Sequence, residues 1–162
     1  MRAVGARMLF IDELHNILAG KSDVRREFLN LIRFLGNELR ISIVGVGTRE
    51  AYLAVRADEQ LENRFEPIIL PLWEEGETTC SLLASFAAAF PLRRRSELAT
   101  PDMARYVLAR SEGTIGEISR LVTAAAIAAV ETGEEAIDHK TLALAGYESP
   151  TERRRSFERE LR

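Results

Sequence analysis

The segment Met8-Leu9-Phe10-Ile11-Asp12-Glu13 places two adjacent carboxylates directly after a short apolar run. A run of this length, bounded by polar residues, suits a strand buried on both faces, as in a parallel sheet. Such a strand can hold both carboxylates rigidly at its tip. The pair then suits phosphoryl transfer: one carboxylate holds Mg²⁺, usually through water, and the other polarises the attacking water. Rigid placement matters because that chemistry rests on positioning and charge. Taken alone, the segment is better explained as a strand meeting a helix whose first residues are acidic and favour the helix dipole.

The elements around the pair decide between these readings. Ile41-Ser42-Ile43-Val44-Gly45-Val46-Gly47 is a β-branched run closing on glycine, read as a second buried strand with Thr48 at its tip. Phe65 to Leu70 reads as a third short strand, at an edge or at a strand start because of Pro67. Ser22 can cap a helix on which Val24, Phe28, Leu31, Ile32, Leu35 and Leu39 recur at helical spacing. Gly36-Asn37 is a weak spot near its end. Tyr52 to Asn63 is helical and amphipathic.

After Pro71-Leu72-Trp73 only helices follow. They cover Glu74 to Phe90, a helix from Thr100-Pro101-Asp102 that stops at Gly113, an alanine-rich helix from Ile115 to near Gly133, and Thr141 to Ala145 capped by Asp138. The tail from Thr151 reads as a frayed helix or as disordered. Trp73 reads as a packing residue. This order predicts an α/β core over residues 1–72, a helical bundle over 73–148 and a charged tail over 149–162.

Composition narrows the classes further. The 162 residues are 46% apolar and 29% charged, with a net charge of -3. No global basic field marks a dedicated nucleic-acid binder. The single cysteine, Cys80, allows no internal disulfide, which points to a reducing, cytoplasmic setting. No apolar run approaches membrane-spanning length. Two histidines and one cysteine leave little material for a zinc site, and His15 and His139 read as structural or solvated. Arg93-Arg94-Arg95 and Arg153-Arg154-Arg155 can meet phosphates, although runs of three are usually solvated loops.

Several separated stretches carry a family resemblance. Phe10 to Gly20, Phe34 to Leu39, Val44 to Tyr52 and Leu61 to Pro67, followed by Ser111-Glu112-Gly113-Thr114-Ile115-Gly116, resemble in wording and order the TniB family. These are AAA+ ATPases of transposons, similar to TnsC and MuB, and the resemblance runs from about Met8 to Gly146. It implies an α/β fold: an AAA+ P-loop NTPase core from the Walker B strand onward, then an α-helical lid. Asp12 would be the magnesium-side carboxylate and Glu13 the catalytic glutamate. Thr48 would be the sensor 1 group near the γ-phosphate. Arg64 would be the arginine finger reaching a neighbouring subunit, with Arg56 as the fallback; without the family, Arg64 reads as a solvated arginine. Lys21, Arg25 and Arg26 are the DNA-contact candidates. The resemblance implies that the intact protein binds ATP and Mg²⁺, forms a ring or filament on target DNA and recruits a transposase.

Two departures accompany it. Gly20-Lys21-Ser22 imitates the end of a phosphate loop, but it follows the acidic pair and has His15 where the loop needs glycine. It is a decoy, and no other stretch fits. The expected place of the sensor 2 arginine holds Gly116, with Arg120 one turn on. In the family the strand order is 5-1-4-3-2. The chain is therefore expected to start at strand 3, to keep strands 3 and 4 as neighbours, and to leave strand 5 across a gap. It is expected to be a truncated form that does not bind nucleotide alone and whose core is marginal. The alternatives are an AAA+ switch or loader outside transposition and a non-enzymatic helical interaction module.

Overall fold

The computed structural model describes residues 5–18, 20, 22–38 and 40–161. The chain divides into two compact units, Met1–Ile69 and Leu70–Arg162.

In the first unit, β1 (Met8–Ile11) leads through Asp12 and Glu13 into α1 (Leu14–Leu18). Then come α2 (Ser22–Arg33), a π-helical turn (Phe34–Glu38), β2 (Ser42–Gly45), α3 (Arg49–Arg56) and α4 (Glu59–Glu62). β1 and β2 are parallel, with Met8 opposite Ser42 and Ile11 opposite Gly45. The π-helical turn lies over Gly36-Asn37, where glycine lowers the preference for a regular helix. Asp58 splits the helix expected over Tyr52 to Asn63 in two, because its Oδ1 accepts from the backbone N–H of Gln60 and Leu61 and starts α4. Leu14, Ala51 and Leu61 form a small buried core, with Ile11, Phe28 and Phe65 among the residues packed on it.

The expected third strand is not formed. Residues 65–72 have no regular structure, and Ile68, Ile69 and Leu70 are 87%, 72% and 89% exposed. A strand exists only where a neighbour takes its backbone groups, and the described sheet has two strands. Pro67, without an N–H, weakens any pairing further. Met8 and Phe10 on β1 are likewise exposed.

The second unit is helical: α5 (Glu77–Ala89), α6 (Pro101–Ser111), α7 (Ile115–Glu131), α8 (His139–Leu144) and α9 (Pro150–Glu160). Local signals set its boundaries. Thr100 Oγ1 accepts from Met103 N at 3.3 Å, with Pro101 opening α6. α6 ends with Glu112 and Gly113 both left-handed, at φ 52° and 69°. A Cβ on Gly113 would stand 2.8 Å from the Trp73 carbonyl oxygen, and Trp73 N donates to Gly113 O at 2.7 Å. Asp138 and Thr141 form a capping box for α8. The core is larger than that of the first unit. Leu83, Leu98, Val107, Ile118, Leu121, Val122 and Leu142 are fully buried, and Trp73 packs against them.

The tail is helical over α9, with Ser149 and Glu152 forming a capping box. Arg153 Nη2 lies 2.6 Å from Glu117 Oε1 on α7, and Tyr147 donates its hydroxyl to Glu117 Oε2 at 2.8 Å. Among the described residues no single helix is long and apolar enough to cross a membrane.

Candidate functional site

The parallel register makes β1 and β2 end side by side. Val46 N donates to Ile11 O at 2.8 Å, and Leu14 N donates to Val46 O at 2.9 Å. Asp12 and Glu13 therefore leave the same C-terminal sheet edge as Gly47 and Thr48. That edge is where open α/β sheets present reactive groups. Gly47 is needed there, since a Cβ on it would meet the Ala51 Cβ at 2.8 Å, where α3 crosses closely.

The edge carries a polar network. Asp12 Oδ1 accepts from Glu13 N at 2.7 Å. Glu13 has φ 55°, a left-handed backbone unusual for a side chain of its size. Its carboxylate accepts from Asn16 Nδ2 at 3.0 Å and lies 3.4 Å from His15 Nε2. The other ring nitrogen of His15, Nδ1, is buried and has no hydrogen-bond partner among the described residues. Thr48 Oγ1 donates to Glu50 Oε2. That bond is the main reason the Glu50 carboxyl titrates below its ordinary value, with smaller contributions from its own backbone N–H and from the charges of His15 and Arg49. Sequence reasoning missed Asn16 and Glu50 and read His15 as structural or solvated. Only the spacing Thr48-x-Glu50 at a helix start hinted at the second bond.

The remaining sequence candidates divide by what already holds them. Arg56 is paired with Glu62 at 2.7 Å. Arg64 is exposed, with Asn37 Oδ1 3.4 Å from its guanidinium, and is the freer of the two. Arg25 ties α2 to the α3–α4 segment through Ala54 O at 3.3 Å and Asp58 at 3.5 Å. Arg26 is exposed with no partner among the described residues. Lys21 lies outside the described residues. Arg25, Arg26 and Arg33 line an open groove of about 800 Å³ whose other wall includes Asp58 and Glu59. Gly116 lies in the first turn of α7, and Arg120 bonds Glu117 at 3.2 Å.

The donor set fits Mg²⁺ and a nucleotide in part. Asp12 is exposed, and its Oδ2 has no partner among the described residues, so it can hold a hydrated cation through water. Among the described residues, no three of His, Cys, Asp and Glu converge on a common metal position. The 162 residues contain no G-x-x-x-x-G-K-[ST] loop whose N–H groups and lysine would cradle the phosphates. The edge thus supplies acids and a hydroxyl, without the phosphate cradle.

Residues 1–75 match the family model described as "Bacterial TniB protein". The resemblance to TniB read from the sequence is therefore met over that part of the chain. Two curated relatives are chaperone proteins ClpB. The one from Clostridium tetani is 37% identical over 68 residues, covering 41% of this chain and 8% of its own length. The one from Meiothermus ruber is 26% identical over 106 residues, covering 64% of this chain and 12% of its own. The chain spans about a tenth of the length of these relatives. Together the matches point to an AAA+ P-loop fold. Within the chain the described part of that fold is mostly helical, with the small parallel sheet of β1 and β2.

Proposed function

From the match of residues 1–75 to TniB, we propose that this chain carries the acid and sensor side of an ATP-dependent regulator of transposition. In this reading the regulator binds target DNA and recruits a transposase. The first unit is a partial AAA+ core from the Walker B strand onward, and the second is its helical lid. One observation carries the assignment: the β1–β2 register delivers Asp12, Glu13 and Thr48 to one sheet edge.

Asp12 holds the hydrated Mg²⁺. Glu13, oriented by Asn16, polarises the attacking water. Thr48 reports the γ-phosphate once its hydroxyl leaves Glu50. Arg64 reaches the nucleotide of an adjacent copy in a ring or filament. Bound ATP and Mg²⁺ supply the phosphoryl group and its charge neutralisation. The phosphate cradle must come from residues outside these 162, so this chain alone does not bind the nucleotide. Arg26 and Lys21 are the DNA contacts. Arg25 contributes only where its bond to Asp58 opens.

The test compares two proteins. In a version joined to a segment bearing a phosphate loop, Glu13→Gln is expected to abolish ATP hydrolysis while leaving ATP-dependent DNA binding in place. The present chain is expected to show no ATP binding at low-micromolar concentration by calorimetry. Unchanged hydrolysis in E13Q, or tight binding by the chain alone, would sink the assignment. The ClpB matches favour a second reading, an AAA+ switch or loader outside transposition. Failure of the longer, DNA-bound protein to bind a transposase in a pull-down with purified components would select it.

A further inference from the structure

The second unit holds a groove of about 630 Å³ that the ATPase reading does not use. Its size lies within the roughly 300–1,000 Å³ typical of ligand clefts. The floor is made by Ala84, Ala87 and Ala88, small residues that leave room above α5. The rim is Arg93-Arg94-Arg95, with Glu97 the one carboxylate in the lining.

The rim is held in place by its own backbone. Arg94 N donates to Glu135 O at 2.9 Å, and Ile137 N donates to Ser96 Oγ at 2.8 Å. Leu98, fully buried, anchors the loop from below. The arginines are unequally engaged. Arg94 bonds the Glu134 carbonyl at 3.1 Å. Arg93 lies 3.9 Å from the Glu135 carboxylate with its side chain 86% exposed. Arg95 is exposed and has no partner among the described residues. Glu134 is already neutralised by Lys140 at 2.5 Å.

A prearranged cationic rim over an apolar floor calls for an anion that also carries apolar bulk. We propose that this groove is a docking site for an acidic peptide segment of a partner protein, with an aliphatic or aromatic anchor on the alanine floor and carboxylates against Arg93 and Arg95. Nucleic acid suits it less, because Phe90 is the one aromatic residue in the lining and is itself half-buried, too little for a run of stacked bases. The chain's own basic tail is excluded as occupant by its arginines. A loop backbone already fixed lowers part of the ordering cost of binding, and guanidinium forks suit carboxylates.

The test is selection of random 12-residue displayed peptides on the full chain, followed by fluorescence anisotropy of the winning peptide. The expected result is a consensus of Asp or Glu around a Leu, Phe or Trp. Its affinity is expected to fall by about tenfold or more in Arg95→Glu and comparably in Ala88→Phe, which fills the floor. Arg95→Lys, which keeps the charge but not the fork, should weaken binding less than Arg95→Glu, and Arg155→Glu on α9 should leave it unchanged. Unaltered helical content by circular dichroism separates loss of the site from loss of the fold. No consensus, a consensus without acids, or binding indifferent to both R95E and A88F would overturn the proposal. So would displacement of the peptide by a 20-base-pair duplex that itself binds through Arg95, which would make the groove a nucleic-acid site.

Discussion

Replacing Arg153 by alanine should detach α9, and the size of the effect follows from the pair it breaks. The side chain of Glu117 is 15% exposed and that of Arg153 34%. Two bonds from Arg153, at 2.6 and 3.1 Å, and one from Tyr147 hold the Glu117 carboxyl down at about 2 instead of 4.5. Arg153 is the largest cause. A displacement of that extent corresponds to about 3 kcal/mol as a ceiling, at 1.36 kcal/mol per pK unit. With Arg153 one third exposed, screening reduces the expected value to about 1–2 kcal/mol. A lowered carboxyl stabilises the fold above its unfolded value of about 4.5, and that contribution is lost as pH falls from there towards 2.

Urea unfolding of the wild type and of R153A, repeated from pH 7 to pH 2.5, checks this. R153A should be weaker by about 1–2 kcal/mol at pH 7, and the two curves should converge as Glu117 protonates. Hydrogen exchange should show faster α9 amides in R153A, with α7 amides unchanged. Equal stabilities at pH 7, or a constant gap down to pH 2.5, would refute the assignment of this bond as the fastening of α9.

Three further perturbations follow. Gly113→Ala puts a Cβ 2.8 Å from the Trp73 carbonyl at a left-handed φ, and should cost about 1–3 kcal/mol in thermal unfolding of the second unit. Asp138→Ala removes the capping box of α8 and should cost about 1 kcal/mol by urea titration. Gly47→Ala brings a methyl to 2.8 Å from the Ala51 Cβ, so α3 must move; expect a loss of about 1–3 kcal/mol by urea unfolding of the first unit, with shifted amide resonances at Thr48 and Glu50 marking the displacement.

What was legible in the sequence is what residues decide locally. Thr100-Pro101-Asp102 and Asp138 announced helix starts, and both caps are present, because a cap needs only atoms within one turn. β1 and β2 were legible because a β-branched or apolar run closing on glycine or acid has few other solutions. The segment from Phe65 failed as a strand because pairing depends on a neighbour elsewhere, and its own apolar residues carry no record of whether that neighbour exists. The tail was ambiguous because its fastening joins Arg153 to Glu117 across 36 residues. The acidic pair was visible, but its orienting partners were not: Glu13 with Asn16 and Thr48 with Glu50 depend on the backbone at the sheet edge.

If Glu13 has the role proposed above, its left-handed backbone sets stability against chemistry at a single position. For a residue with a Cβ, that conformation costs about 1 kcal/mol or more, while glycine adopts it freely and asparagine at lower cost. Glu13→Gly or Glu13→Asn should therefore relax the turn between β1 and α1 and raise the stability of the first unit, while removing the carboxylate. A screen that rewards thermal stability alone would drift away from glutamate here, and one that rewards ATP hydrolysis in the version joined to a phosphate loop would, on the proposed role, hold it in place. The two screens run in parallel would turn a single dihedral angle into a direct readout of whether the carboxylate is retained for work or for folding.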